Sequence, residues 1–161
     1  MQITKGVVMP LPKSEIANRI HDEHDYLKKE MRKIRSMMNC DVTAEDFPKW
    51  RMDFMWLLRD FSNDLQKHFD LEEEGGFMSD VIRLAPQHLP AVERLEAQHR
   101  TISENLNQII ETFKKMQALD TDTMKKVCKD IDDLLVMLAE HEAAEGDIME
   151  TTFMLDYGGG D

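Results

Sequence analysis

Two pairs of residues in this chain have the spacing of metal ligands on a helix. His68 is followed four positions later by Glu72, and His141 is followed four positions later by Glu145. Side chains four residues apart lie on the same face of an α-helix, one turn from each other. An imidazole and a carboxylate on one helix face can bind a metal ion such as zinc, iron or manganese.

Two single histidines complete the pattern. His24 and His99 each stand where an apolar residue is expected within a stripe that steps by three and four residues, as on one face of an amphipathic helix. The apolar positions that define the four stripes are Ile16, Ile20, Leu27, Met31, Ile34 and Met38; Phe54, Leu58, Phe61 and Leu65; Val92, Leu95, Ile102, Leu106, Ile109, Phe113 and Met116; Val127, Ile131, Leu134, Leu138 and Ile148.

These stripes predict an all-α protein. Four long amphipathic helices with short connections are typical of an up-down-up-down four-helix bundle. We assign the bundle to residues 14–154, with an N-terminal extension at 1–13 and a flexible C-terminal tail at 155–161. Pro48 is suited to the first turn of the second helix.

The six ionisable side chains would be buried in this bundle. A buried polar group without partners costs several kcal/mol, and an unpaired carboxylate costs more. A domain whose total stability is about 5–15 kcal/mol could not retain six of them uncompensated. A bound metal compensates directly. The sequence therefore predicts metal ligands at His24, His68, Glu72, His99, His141 and Glu145.

Antiparallel geometry predicts that the six groups lie at one level, because residues meet across a hairpin when the turn lies midway between them. The midpoint of His99 and His141 is Asp120, and that of His24 and His68 is Asp46; both fall in predicted turns. The midpoint of Glu72 and His99 falls near Pro86, so we expect the second helix to continue through Gly75-Gly76 to about residue 84. The alternative is that the two glycines terminate it.

The donor set indicates the metal. Four imidazoles and two carboxylates exceed a single zinc site, and nitrogen and oxygen ligands without thiolate suit iron or manganese. Two carboxylates can bridge two ions, with two histidines on each. Ferritin-like sites instead use mainly carboxylates with Glu-x-x-His on two helices, a spacing that only Glu96 and His99 show here.

Composition excludes several classes of partner. The net charge of −12 argues against nucleic acid and against an anionic membrane surface. The sequence contains no run of 18 apolar residues and no visible signal peptide. With two cysteines, Cys40 and Cys128, that form no framework, we expect a cytoplasmic protein.

The chain resembles the hemerythrin-like, HHE cation-binding family from about residue 14 to 153. This resemblance implies a non-haem di-iron centre in which Glu72, Glu145 and an oxo or hydroxo group bridge two iron ions, with the four histidines as terminal ligands. The family binds O2 or nitric oxide, senses iron or oxygen, or repairs iron–sulfur centres. The resemblance is carried by four segments: Glu23-His24-Asp25-Tyr26-Leu27, His68-Phe69-Asp70-Leu71-Glu72-Glu73-Glu74, Gln98-His99-Arg100-Thr101-Ile102 and His141-Glu142-Ala143-Ala144-Glu145.

The chain departs from the family pattern at two places. The marine-worm oxygen carriers have a further histidine one turn before the third-helix histidine, where this chain has Leu95. The resulting ligand set is similar to that of the iron-centre repair proteins and leaves a more open pair of irons. Gly75-Gly76 stand where bulky residues are usual, and we hypothesise that they widen access to the site.

Three further residues are candidates for an outer shell around the ligands. Glu23 and Glu96 could accept imidazole N–H groups, although the simpler interpretation is two surface acids. His21 could lie just outside the ligands or line a channel, and a surface position is an equal alternative. The leading functional prediction is a di-iron protein that binds O2 or nitric oxide for sensing, storage or delivery. The alternative is an enzyme that reduces nitric oxide or peroxide, or that donates iron to damaged iron–sulfur centres.

Overall fold

The computed structural model describes residues 13–38 and 41–153, and these form a helical bundle without a strand. The predicted N-terminal extension, except Lys13, and the predicted C-terminal tail lie outside the described residues, as does Cys40. The helices are α1 (Lys13–Met38), α2 (Phe47–Glu73), α3 (Phe77–Leu84), α4 (Leu89–Lys115) and α5 (Thr121–Phe153), with a 3-10 turn at Pro86–His88 before α4.

The four long helices form a closed ring. Helix α1 packs against α2, α2 against α4, α4 against α5, and α5 against α1. Short connections join them: Pro48 lies in the first turn of α2, and the Asp120 carboxylate accepts backbone amides of Asp122 and Thr123 at the start of α5. The predicted up-down-up-down four-helix bundle is confirmed.

The core consists of two apolar clusters. The larger cluster lies toward the α1–α2 and α4–α5 connections, where Phe54, Phe113 and Leu135 are fully buried. The smaller one lies at the opposite end and includes Ile20, Leu95 and residues of α3. On α1, α4 and α5 the predicted ligands fall between the two clusters, and on α2 Phe69 of the larger cluster lies between His68 and Glu72. A polar layer thus divides the core.

The expectation of a continuous second helix is wrong. Helix α2 ends at Glu73, and α3 begins at Phe77 after a break at which Gly76 has φ of +95°. This left-handed conformation is strained for any residue with a Cβ, and it redirects the chain. Helix α3 then contacts all four long helices and closes that end of the bundle with Phe77, Met78 and Val81.

Both glycines are explained by the backbone. A Cβ added to Gly75 would overlap the carbonyl oxygen of Leu71, and Gly76 needs its positive φ. They therefore permit the α2–α3 break, and the idea that they widen access to the site receives no support. A substitution such as Gly75→Leu would disturb the backbone, so it could not test whether the glycines control access to the site.

Candidate metal centre

The polar layer is built by the four long helices. Each of α1 and α4 contributes one histidine, His24 and His99. Each of α2 and α5 contributes a His-x-x-x-Glu pair, because four residues complete about one turn and place both side chains on the inner face. All six side chains are buried, and Glu72 and Glu145 have no exposed surface.

The structure brings all six predicted residues together as two overlapping groups. One group is His24, His68, Glu72 and Glu145; the other is His99, His141 and the same two glutamates. Within each group the possible ligand atoms lie within 4.8 Å of one another. The two glutamates are therefore shared, while each pair of histidines belongs to one group.

The two histidine pairs are related by an approximate twofold arrangement. The ring centroids of His24 and His68 are 4.8 Å apart with an angle of 62° between the planes, and those of His99 and His141 have the same separation and angle. The repeat visible in the sequence, one helix with a single His followed by one with His-x-x-x-Glu, is thus also a repeat in space.

The Nε2 atoms of the histidines point into the layer. His24 Nε2 lies 3.1 Å from both His68 Nε2 and Glu145 Oε2. His99 Nε2 lies 3.2 Å from Glu72 Oε2. His141 Nε2 is in ion-pair contact with Glu145 Oε1. Nitrogen lone pairs and carboxylate oxygens thus converge on a common space.

Two of these imidazoles form a hydrogen bond through Nδ1 with a side chain outside the six predicted ligands. His68 Nδ1 lies 2.8 Å from Glu23 Oε2, and His141 Nδ1 lies 2.7 Å from Gln98 Oε1. Since an uncharged amide oxygen or a carboxylate can only accept here, each Nδ1 carries a proton, and Nε2 is the nitrogen that can bind a metal in place of a proton.

Gln98 was not predicted, although the sequence contains a signal for it. Glu23 directly precedes His24, and Gln98 directly precedes His99. In each half, the residue before the single histidine accepts from the histidine of the following helix. Extending the repeat by one residue would have identified Gln98. Glu73, whose Oε1 lies 3.4 Å from His99 Nδ1, was also missed.

The other two candidates for the outer shell have different surroundings. Glu96 is half-buried, and no hydrogen bond or ion pair joins it to any of the four histidines in the described part of the chain. His21 is partly exposed, lies 3.9 Å from Asp22, and lines a surface pocket next to His24.

Phe69 supports the centre from the apolar side. Its ring stacks on His99 at 4.0 Å and meets His141 edge-on at 5.8 Å. The phenyl group is 1% exposed, so it fixes both imidazole planes and keeps water away from that face. It too was missed, because an aromatic residue in a helical stripe is indistinguishable from ordinary core.

The buried glutamates favour the protonated form of two of the histidines. Burial opposes the charge of His68, but contacts with Glu145, Glu23 and Glu72 outweigh it and raise the pKa of His68 to about 12. Burial likewise disfavours the charged form of His99, yet Glu145 and Glu72 raise its pKa to about 9. Burial raises the pKa of Glu72, whereas Glu145 has a lowered pKa because four imidazoles overcome its burial. Cationic imidazoles thus stand where a cation would bind.

A metal ion fits this arrangement. Glu72 Oε1, His141 Nε2 and Glu145 Oε1 are buried and form no hydrogen bond with the described residues. Their close neighbours are other atoms of the same six residues: His68 Nε2 contacts Glu72 Oε1, and His141 Nε2 contacts Glu145 Oε1. His24 Nε2 and His68 Nε2 face each other, so at most one can hold a proton at that position. Bound metal would satisfy all of these atoms, and the imidazole–carboxylate set suits a cation such as iron.

The fold and the site together define a helical bundle with a buried histidine–glutamate metal site. The family model of the hemerythrin HHE cation binding domain matches residues 15–152, and the chain belongs to this family. No curated protein and no solved structure matches the chain significantly. In residues 13–38 and 41–153, no helix is both long enough and apolar enough to cross a membrane.

Proposed function

We propose that the chain is a non-haem di-iron protein that binds O2 or nitric oxide for sensing, storage or delivery. In this proposal His24 and His68 would hold one iron ion, His99 and His141 would hold the other, and Glu72 and Glu145 would be available to both. The observation that carries the proposal is the pair of overlapping four-residue groups that share Glu72 and Glu145.

The donor set favours iron over zinc. Each group offers two imidazole nitrogens and two carboxylates and contains no thiolate. Zinc in structural sites takes four ligands and closes, whereas non-haem iron accepts histidine and carboxylate ligands and uses further open positions. Leu95, one turn before His99, is buried in the smaller apolar cluster and supplies no donor. The ligand set therefore leaves room for a small molecule.

The protein side chains have three tasks in this function. Glu23 and Gln98 hold the Nδ1–H groups of His68 and His141, which keeps both Nε2 atoms aimed at the metal. Phe69 and the apolar clusters on either side limit water around the centre. When bound, a pair of iron ions would supply electrons, and its open coordination positions would accept O2 or nitric oxide.

Metal analysis and spectroscopy test the proposal. We expect the metal-free protein, loaded anaerobically with Fe2+, to bind about two iron ions per chain. Exposure to O2 should then produce an absorption band that disappears under vacuum. Stoichiometry clearly below two ions would contradict the di-iron centre. Irreversible oxidation with turnover of peroxide or nitric oxide would assign the protein to the enzymatic alternative.

A further inference from the structure

A surface pocket of about 320 Å³ lies between α1 and α5, next to the metal centre. Its wall includes His24, which at 6% is the most exposed of the six predicted ligands; the other five are 0–4% exposed. The pocket therefore reaches a predicted ligand directly. On this side a predicted ligand is in contact with a pocket that opens to solvent.

Glu142 lies in the wall of this pocket and is not accounted for by packing. It is 5% exposed, and neither carboxylate oxygen has a hydrogen-bond partner among the described residues. A buried carboxylate without a partner costs several kcal/mol. Such a residue calls for a role that an apolar side chain could not perform.

The internal repeat shows that the fold itself does not need a carboxylate there. Glu142 directly follows His141, and the equivalent residue after His68 is Phe69. Phe69 is buried and stacks on His99. One side of the centre is therefore sealed by an aromatic ring, while the side facing the pocket carries an ionisable group.

The charges around the pocket favour a cation. Its lining includes four carboxylates, from Asp25, Glu142, Asp147 and Glu150, and one lysine, Lys28. A concave surface lined by one sign of charge raises the local concentration of the opposite ion. These carboxylates form no compact chelate, since the groups of three or more close ligand atoms in the described residues are confined to the centre. A weak site of this kind can pass an ion on instead of retaining it.

We propose that the α1–α5 pocket is the route by which divalent metal ions reach the centre, and that Glu142 is a transient ligand that hands each ion to His24 and Glu145. This inference rests on the proposed metal-binding function. It assigns to Glu142 a role in the rate of metal uptake and none in the final binding equilibrium, since the six ligands of the loaded centre do not include it.

The rate of metal uptake tests this role. Metal-free protein is mixed anaerobically with Co2+, and the ligand-field absorption of the bound ion is followed with time. We expect Glu142→Gln to slow uptake about tenfold and to reach the same final stoichiometry. The matched control is Glu140→Gln, which removes the same charge from an exposed position on α5 outside the pocket and should change the rate less than about twofold.

A second variant blocks the pocket without removing a charge. Gly146 lines the pocket within α5, and a Cβ added there meets nothing within 4 Å. Gly146→Leu should also favour the helix, since leucine has the higher helix propensity. We expect this variant to fold at least as stably as the parent and to take up Co2+ several-fold more slowly.

The outcomes separate the two proposals. If the parent binds no Co2+ or Fe2+ tightly, the proposed function and the uptake route both fail. If the parent loads fully and Glu142→Gln and Gly146→Leu load at the parental rate, only the uptake route is overturned. Electrostatic guidance through the pocket is supported if high salt slows metal uptake by the parent and leaves the uptake rate of Glu142→Gln unchanged.

Discussion

His68 donates its Nδ1–H to the carboxylate of Glu23 over 2.8 Å, a contact that joins α2 to α1 just outside the metal centre. The equivalent histidine of the other half, His141, donates to the uncharged amide oxygen of Gln98 over 2.7 Å. A carboxylate acceptor makes the imidazole a more basic ligand than an amide acceptor does. The two halves thus share their geometry and differ by one charge.

This difference predicts unequal metal affinities. We expect Glu23→Gln to weaken metal binding at the His24–His68 position by about 10-fold, within the range for partners of ligating histidines, and to leave the His99–His141 position nearly unchanged. Competitive titration against a chelator of known affinity would resolve the two binding steps. The reverse substitution, Gln98→Glu, should tighten the second position, and an equal effect of Glu23→Gln on both steps would contradict the assignment.

Shared and unshared ligands should respond differently to removal. His24 belongs to one of the two four-residue groups, whereas Glu145 belongs to both and contacts all four histidines. We therefore expect His24→Ala to retain about one metal ion per chain and Glu145→Ala to retain almost none. Elemental analysis of purified protein after anaerobic loading measures this. Far-ultraviolet circular dichroism of both variants would verify that the bundle is intact, and retention of two ions by Glu145→Ala would refute a bridging role.

A carboxyl pair away from the centre predicts how stability depends on pH. Glu30 of α1 is 5% exposed, and burial together with Asp64 of α2 raises its pKa to about 8. As two carboxylates they would both be acceptors, so one shared proton is needed for a hydrogen bond between them.

In the unfolded chain a glutamate titrates near pH 4.3. Between about pH 4.5 and pH 8 the folded state holds the extra proton, so the free energy of unfolding should fall as the pH rises through this window. Glu30→Gln removes the titration, and its amide can donate to Asp64. We expect the change that Glu30→Gln makes in the free energy of unfolding to be more stabilising at pH 9 than at pH 5, by roughly 1–3 kcal/mol, as measured by urea unfolding. Glu140→Gln, at an exposed position, should show no such difference.

Two glycines should respond in opposite directions to the same substitution. Gly76 has φ of +95°, so Gly76→Ala should destabilise the fold by about 1 kcal/mol. Gly146 lies within α5 with open space around its Cα, so Gly146→Ala should stabilise by up to about 1 kcal/mol. Chemical unfolding of the two variants beside the parent measures both effects. A stabilising effect of Gly76→Ala would mean that α2 and α3 are not separated by a left-handed residue in solution.

The fold was largely predictable because helical periodicity is strong in this chain. The apolar stripes place one face of each helix inward, and a bundle is the simple way to bury four such faces. The break between α2 and α3 was not predictable from the same reasoning. Midpoint geometry requires only that Glu72 and His99 lie at one level, and a straight helix and a broken one both satisfy it. The positive φ of Gly76 decides between them.

The sequence by itself determined which six side chains enter the polar layer, because only residues at helical spacing within an apolar stripe point into the core. The tertiary structure alone decided how they combine: His24 with His68, His99 with His141, and both glutamates common to the two groups. It also decided that Gln98 matches Glu23, and that Phe69 closes one side of the centre while Glu142 lines a pocket on another. The reason is physical. Spacing along a helix determines which face a side chain occupies, whereas contacts between helices depend on how each helix is rotated and packed against its neighbours.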